Sequence, residues 1–173
     1  MERNIRNYAG IFVAVVLYYI IHEGAHLLIA LHYGVFKQIN FVGLVGMQID
    51  AYHEQMTDFQ MGIFNLVGAV ATLICGWLLV GASNWLCSLK SKMLRTIAWY
   101  TSITMMLLDP VYLSVLCGFF GGGDMNGIIL LFPEAGVRAA AALVGILNLV
   151  VVVKVLLPRY TKSFQQKTLL KEV

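Results

Sequence analysis

The feature that most limits the fold is a set of four long apolar runs, at about residues 8–33, 59–82, 93–120 and 136–157. A helix needs ~20 apolar residues to cross the hydrocarbon of a bilayer, and each run has about that reach. The third run is interrupted by Asp109-Pro110, and the fourth is preceded by a short apolar piece, 125–132, that ends at Pro133. Composition points the same way. Sixty per cent of the 173 residues are hydrophobic and 12% charged, with a mean hydropathy of +0.79. Ordinary soluble domains carry ~25% charged residues. A compact domain of this size could not hide so much apolar surface from water, which sets aside soluble enzymes, DNA-binding modules and disordered segments. The expectation is an all-α multi-pass membrane protein with about four transmembrane helices, forming a single membrane-embedded domain over 1–173. A basic tail, 158–173, is expected to be solvated or lipid-facing. Arg3 and Arg6 before an apolar run suggest a signal peptide, but the run continues past His26 without a small-x-small cleavage site, so a spanning helix is expected instead.

Residues 35–52, between the first two runs, are too polar and too rich in glycine to span. Phe36, Ile39, Phe41, Val42, Val45 and Met47 suggest short extended pieces bent at Gly43 and Gly46, as a β-hairpin or re-entrant segment. Non-helical backbone survives at membrane depth only when buried in protein or lining a wet cavity. The three cysteines, Cys75, Cys87 and Cys117, are too few and too widely spaced for a disulfide framework or a zinc knuckle.

Most basic residues fall in three clusters: Arg3 and Arg6; Lys90, Lys92 and Arg95; and Lys154, Arg159, Lys162, Lys167 and Lys171. A nucleic-acid surface would gather them on one face with stacking aromatics. Here they flank apolar runs, so no nucleic-acid partner is expected. Four spans put both termini on one side. The positive-inside rule makes that side cytoplasmic, because the other connections carry Asp50, Glu54, Asp58, Asp124 and Glu134. The expected location is therefore the cell membrane, with both termini cytoplasmic.

The chemistry lies in the first run, at His22-Glu23-Gly24-Ala25-His26. Residues four apart on a helix differ by about 40° around its axis, so both imidazoles share a face. That is the two-point grip of His-Glu-x-x-His zinc sites. Glu23 is not needed as a ligand and can act as general base on metal-activated water. A helix that merely anchors gains nothing from three ionisable groups in lipid, where each costs ~3 kcal/mol or more.

The segment IIHEGAHLLIALHYGV and the glycine-punctuated stretch after it resemble the site-2 protease family of intramembrane zinc metalloproteases. That resemblance is specific over about 20–47 and weaker over 65–127. It implies a zinc-dependent endopeptidase that cuts membrane-spanning or membrane-associated substrates, with His22 and His26 as zinc ligands and Glu23 as catalytic acid/base. It also implies a substrate-positioning role for Asn65 in NLVGAVATL, and an Asp as third protein ligand. The family's Asn-Pro-x-x-Asp-Gly signature is incomplete here. Asp124, in GGGDMNG, is the expected third ligand, and Asp109 is the alternative. Depth along the third run favours Asp109. Against it, a residue before proline is biased towards extended backbone and could kink and cap the helix. Three glycines before Asp124 let the chain bend back into the bundle. The competing role for Asp124 is an N-cap, and for Asn65 an interhelical hydrogen bond beside a close-packing Gly68.

Other polar residues point elsewhere. His32 lies about 240° around the helix from His26 and cannot join the same metal. His53 reads as a loop residue. Glu134 is a third ligand only in the Glu-ligand type of membrane zinc peptidase. Tyr18, Tyr19 and Tyr33 could line the site or an interface. A non-catalytic metal-binding scaffold, or an ion path through His22 and Glu23, is the rival from another class. The expected partners are a peptide substrate, the lipid bilayer and, in such a bundle, a second copy of the chain.

Overall fold

The computed structural model describes residues 2–43 and 46–169. Helix α1, Glu2–Tyr33, is followed by the antiparallel strands β1, Phe36–Val42, and β2, Gly46–Ala51. Then come α2, Asp58–Gly81, and the short α3, Ser83–Ser88, and α4, Lys92–Ser114. A single turn, α5, Met125–Ile128, leads to α6, Glu134–Val151, which passes through a π-helical turn, Val152–Leu156, into α7, Leu157–Leu169. Among the described residues, three helices are long and apolar enough to cross a membrane, 4–33, 58–81 and the continuous run 134–165.

The third expected span, α4, has the length but not the apolarity, and the reason lies in its position. It packs against α1, α2 and α6. Thr96 meets Gly10 of α1, Met106 meets Gly76 of α2, and Pro110 meets Gly145 of α6. Helix α4 therefore runs parallel to α1 and antiparallel to α2 and α6. A helix so enclosed can bury Arg95, Thr96, Thr101, Ser102 and Asp109 among its neighbours. The outer helix α6 instead leaves Leu143, Ile146 and Leu147 exposed.

Two expected breaks do not occur. Asp109 is helical, and α4 continues through Pro110 without a break and ends at Ser114, short of residue 120. Proline removes the N–H that would bond the carbonyl four residues earlier, which here is Met106. Asn148 of α6 donates its Nδ2 to that carbonyl at 2.7 Å. The proline defect is thus satisfied by a neighbouring helix. The fourth span also does not stop at residue 157. The π-helical turn directly before Pro158 widens the backbone where proline would clash and leave Lys154 without its donor. Residues 158–169 of the expected free tail are therefore helical, and Tyr160 and Ser163 are buried against the bundle. Lys171 lies outside the described residues.

The hairpin is present, with Ile39 opposite Ile49 and Phe41 opposite Met47. Gly34, at φ 69°, ends α1, and the Val35 N–H returns to the Ala30 carbonyl at 2.9 Å. Gly43, at φ 63°, starts the turn, and Val45 lies outside the described residues. Val35, Ile49 and Ala51 pack under the end of α1 against Ala30 and Phe64. On the solvent side the Lys37 ammonium, 3.0 Å from Asp50, holds that carboxyl below its ordinary range.

Candidate metal centre

His22, Glu23 and His26 are all buried on α1, and their ligand-capable atoms lie within 4.8 Å of one another. They form a group able to hold a metal ion. Four-residue spacing on a straight helix brings the two rings to 4.9 Å, edge to face. What aims them comes from other elements. His26 Nδ1 lies 2.6 Å from the Phe64 carbonyl of α2. A carbonyl only accepts, so Nδ1 carries the proton and Nε2 keeps its lone pair. His22 Nδ1 sits 3.3 Å from Asp109 Oδ1, and its ring stacks on Tyr18 at 5.2 Å.

The two carboxylates left open by the sequence take different places. Asp124 reaches the outward nitrogens of both rings: Oδ2 is 3.0 Å from His22 Nε2 and Oδ1 is 3.7 Å from His26 Nε2. It precedes α5 but makes no capping hydrogen bond with its side chain. Gly121, Gly122 and Gly123, with φ of 77°, 89° and 48°, carry the chain back to this point. Three successive left-handed residues are accessible in practice only to glycine. Asp109 approaches His22 from the opposite side, through Nδ1. It accepts hydrogen bonds from the Tyr18 hydroxyl, at 2.5 Å, and from the Thr72 hydroxyl. Asp109 thus holds a ring in place where Asp124 faces the shared space.

The donor set fits a divalent cation. Two imidazole Nε2 atoms and a carboxylate converge, and no lysine or arginine is paired with Asp124 among the described residues. Gly68 of α2 completes the cradle. A Cβ there would stand 2.6 Å from His26 Nε2 and 2.7 Å from His22 Nε2, so the absent side chain leaves room beside both. Glu23 points to the hairpin instead, where Oε2 accepts the Ile49 N–H at 2.8 Å.

The remaining sequence candidates lie elsewhere. Asn65 is buried one turn before Gly68. Its amide donates to the Met61 carbonyl of its own helix at 2.8 Å and packs on Gly127, just after Asp124. Glu134 is exposed and paired with Arg138 at 2.8 Å, one turn along α6. His32 and His53 are exposed. Sequence reasoning missed Thr72 and gave Gly68 only a packing role. Their signal was present as small residues every fourth position, Gly68, Thr72 and Gly76, along one face of α2. It also left Tyr18 undecided between site and interface. Comparison with protein-family models, curated proteins and solved structures finds no match.

Proposed function

We propose that this chain is a four-span intramembrane zinc endopeptidase, similar to the site-2 proteases, hydrolysing peptide bonds of membrane-spanning or membrane-associated substrates. The observation that carries this reading is the convergence of His22 Nε2, His26 Nε2 and Asp124 on the space left by Gly68, with Glu23 alongside. Zinc would be held by His22, His26 and Asp124. When bound, it supplies Lewis acidity towards a scissile carbonyl and lowers the pKa of water to roughly 7. Asp109 and the Phe64 carbonyl fix the two rings through their Nδ1 atoms, so the donors are oriented in advance. Glu23 accepts the proton of the attacking water at its carboxylate and returns it to the departing amine.

A membrane helix hides its peptide groups in internal hydrogen bonds, so substrate must unwind to be cut. Strand β2 suits an unwound segment. Its Ile49 N–H points away from β1 towards Glu23, which places an unpaired strand edge next to the catalytic carboxylate. The enclosed position of α4 supports counting it as a fourth span, since its polar residues are shielded by three other helices.

The deciding experiment compares wild type with Glu23→Gln, measuring zinc by elemental analysis and cleavage over a panel of model transmembrane peptides. The amide keeps the shape but cannot take the proton, so cleavage should fall ~10²–10⁴-fold with about one zinc per chain retained. An active Glu23→Gln protein would favour the scaffold or ion-path reading. The same four-span arrangement puts both termini in the cytoplasm. Single cysteines introduced at positions 3 and 165 should then resist an impermeant thiol reagent in intact cells and react once the cells are opened.

A further inference from the structure

At the end of the bundle remote from the hairpin, α3 and α7 line an open pocket of about 370 Å³. It is lined by Asn84, Cys87 and Ser88 from α3 and by Arg159, Lys162 and Ser163 from α7. Three basic clusters meet here. Arg6 and Arg95 both lie over the Phe164 ring, at 5.9 and 5.0 Å from its centroid. Arg95 is fully buried behind the cavity wall. Its Nη1 donates to the Ser163 carbonyl at 2.5 Å, while Nε and Nη2 have no hydrogen-bond partner. None of Arg6, Arg95, Arg159 or Lys162 forms an ion pair among the described residues. Every carboxylate with a described side chain belongs to the His22 site or to the hairpin end of the bundle.

A buried guanidinium without an anion is unfavourable, because burial removes the water that balanced its charge. No carboxylate with a described side chain supplies the missing negative charge. We propose that this cavity binds a phosphate oxyanion, supplied by the headgroup of an anionic lipid, with Arg159 and Lys162 as its direct contacts and Arg95 as the charge behind them. The depth argues for a lipid source. The cavity sits where α2 ends and α4 begins, and Trp85, beside the lining residue Asn84, is 65% exposed. Tryptophan so placed marks the headgroup level of a bilayer. Juxtamembrane basic residues gain most from anionic lipid at that level.

The full-length protein in a neutral maltoside detergent provides the test, read by thermal unfolding. It is titrated separately with short-chain phosphatidylglycerol, short-chain phosphatidylcholine and inorganic phosphate. Phosphatidylglycerol should raise Tm saturably and bind more tightly than phosphatidylcholine. The double variant Arg159→Gln, Lys162→Gln should weaken that binding roughly tenfold or more. The control Lys90→Gln, Lys154→Gln removes equal charge outside the cavity and should change it less than about twofold. Equal weakening in both doubles would mean diffuse attraction and overturn the site, as would no weakening in either. Stabilisation by inorganic phosphate alone, with the same variant dependence, would uphold the oxyanion site and reassign its source. Should the double variant fail to fold, Lys162→Gln alters one exposed side chain, and unchanged affinity there would equally overturn the proposal.

Discussion

The two ends of this bundle treat buried charge in opposite ways. Near the hairpin, His22, His26, Asp109 and Asp124 sit within reach of one another, and each has a named partner on another element. At the other end, the Arg95 side chain is also shielded from solvent but holds one hydrogen bond and an aromatic face. The first arrangement neutralises itself except for one shared position that a cation suits. The second holds no carboxylate among the described residues. Burial of ionisable groups in a membrane protein is therefore informative through its deficit: what the chain leaves unbalanced indicates the sign of what it binds.

Within the hairpin end, the two aspartates give the sharpest way to break that comparison. Asp124→Asn should cost the most, removing both zinc and cleavage, because the amide halves the carboxylate's donor capacity and cancels its charge at the shared position. Zinc analysis and peptide cleavage measured on the same preparation check this. Retention of both would place the third ligand elsewhere. Gly68→Ala should come next. A Cβ 2.6–2.7 Å from both Nε2 atoms must push the rings or α2 aside, so zinc affinity should fall while the helical circular dichroism signal persists. Asp109→Asn should do least of the three, weakening zinc binding by about 10–100-fold, the usual effect of losing an outer partner of a ligand. A competition titration with a chelating indicator would resolve that difference. If Asp109→Asn abolished zinc binding while Asp124→Asn behaved as wild type, the two carboxylates would have exchanged roles.

These contrasts follow what the sequence could and could not display. His22, Glu23 and His26 were legible because their relation is local: a helix fixes positions four apart whatever surrounds it. The return of Asp124 could be read from three glycines, whose only shared asset is freedom at positive φ. The place of Asp109 could not be read, since its partners Tyr18 and Thr72 lie 91 and 37 positions away and meet it only through helix packing. Proline stands at both places where a helix runs on past an expected break. Its local preference ends a helix, but Asn148 repairs the carbonyl freed by Pro110, and a π-helical turn accommodates Pro158. Tertiary structure overrode propensity at both. The hairpin was visible as glycine-punctuated extended sequence. Its bond to Glu23 was not, because backbone N–H groups carry no sequence signature.

That bond ties the Glu23 carboxylate to the turn between the two strands. In an antiparallel pair successive N–H groups alternate between the partner strand and the open edge. A slip of β2 by one residue would turn the Ile49 N–H towards β1 and bring Gln48 or Asp50, with its polar side chain, into the place of the buried Ile49 beside Glu23. The length of the loop after Gly43 therefore acts as a gauge for a carboxylate on another element. One residue inserted there could silence the centre without altering any helix.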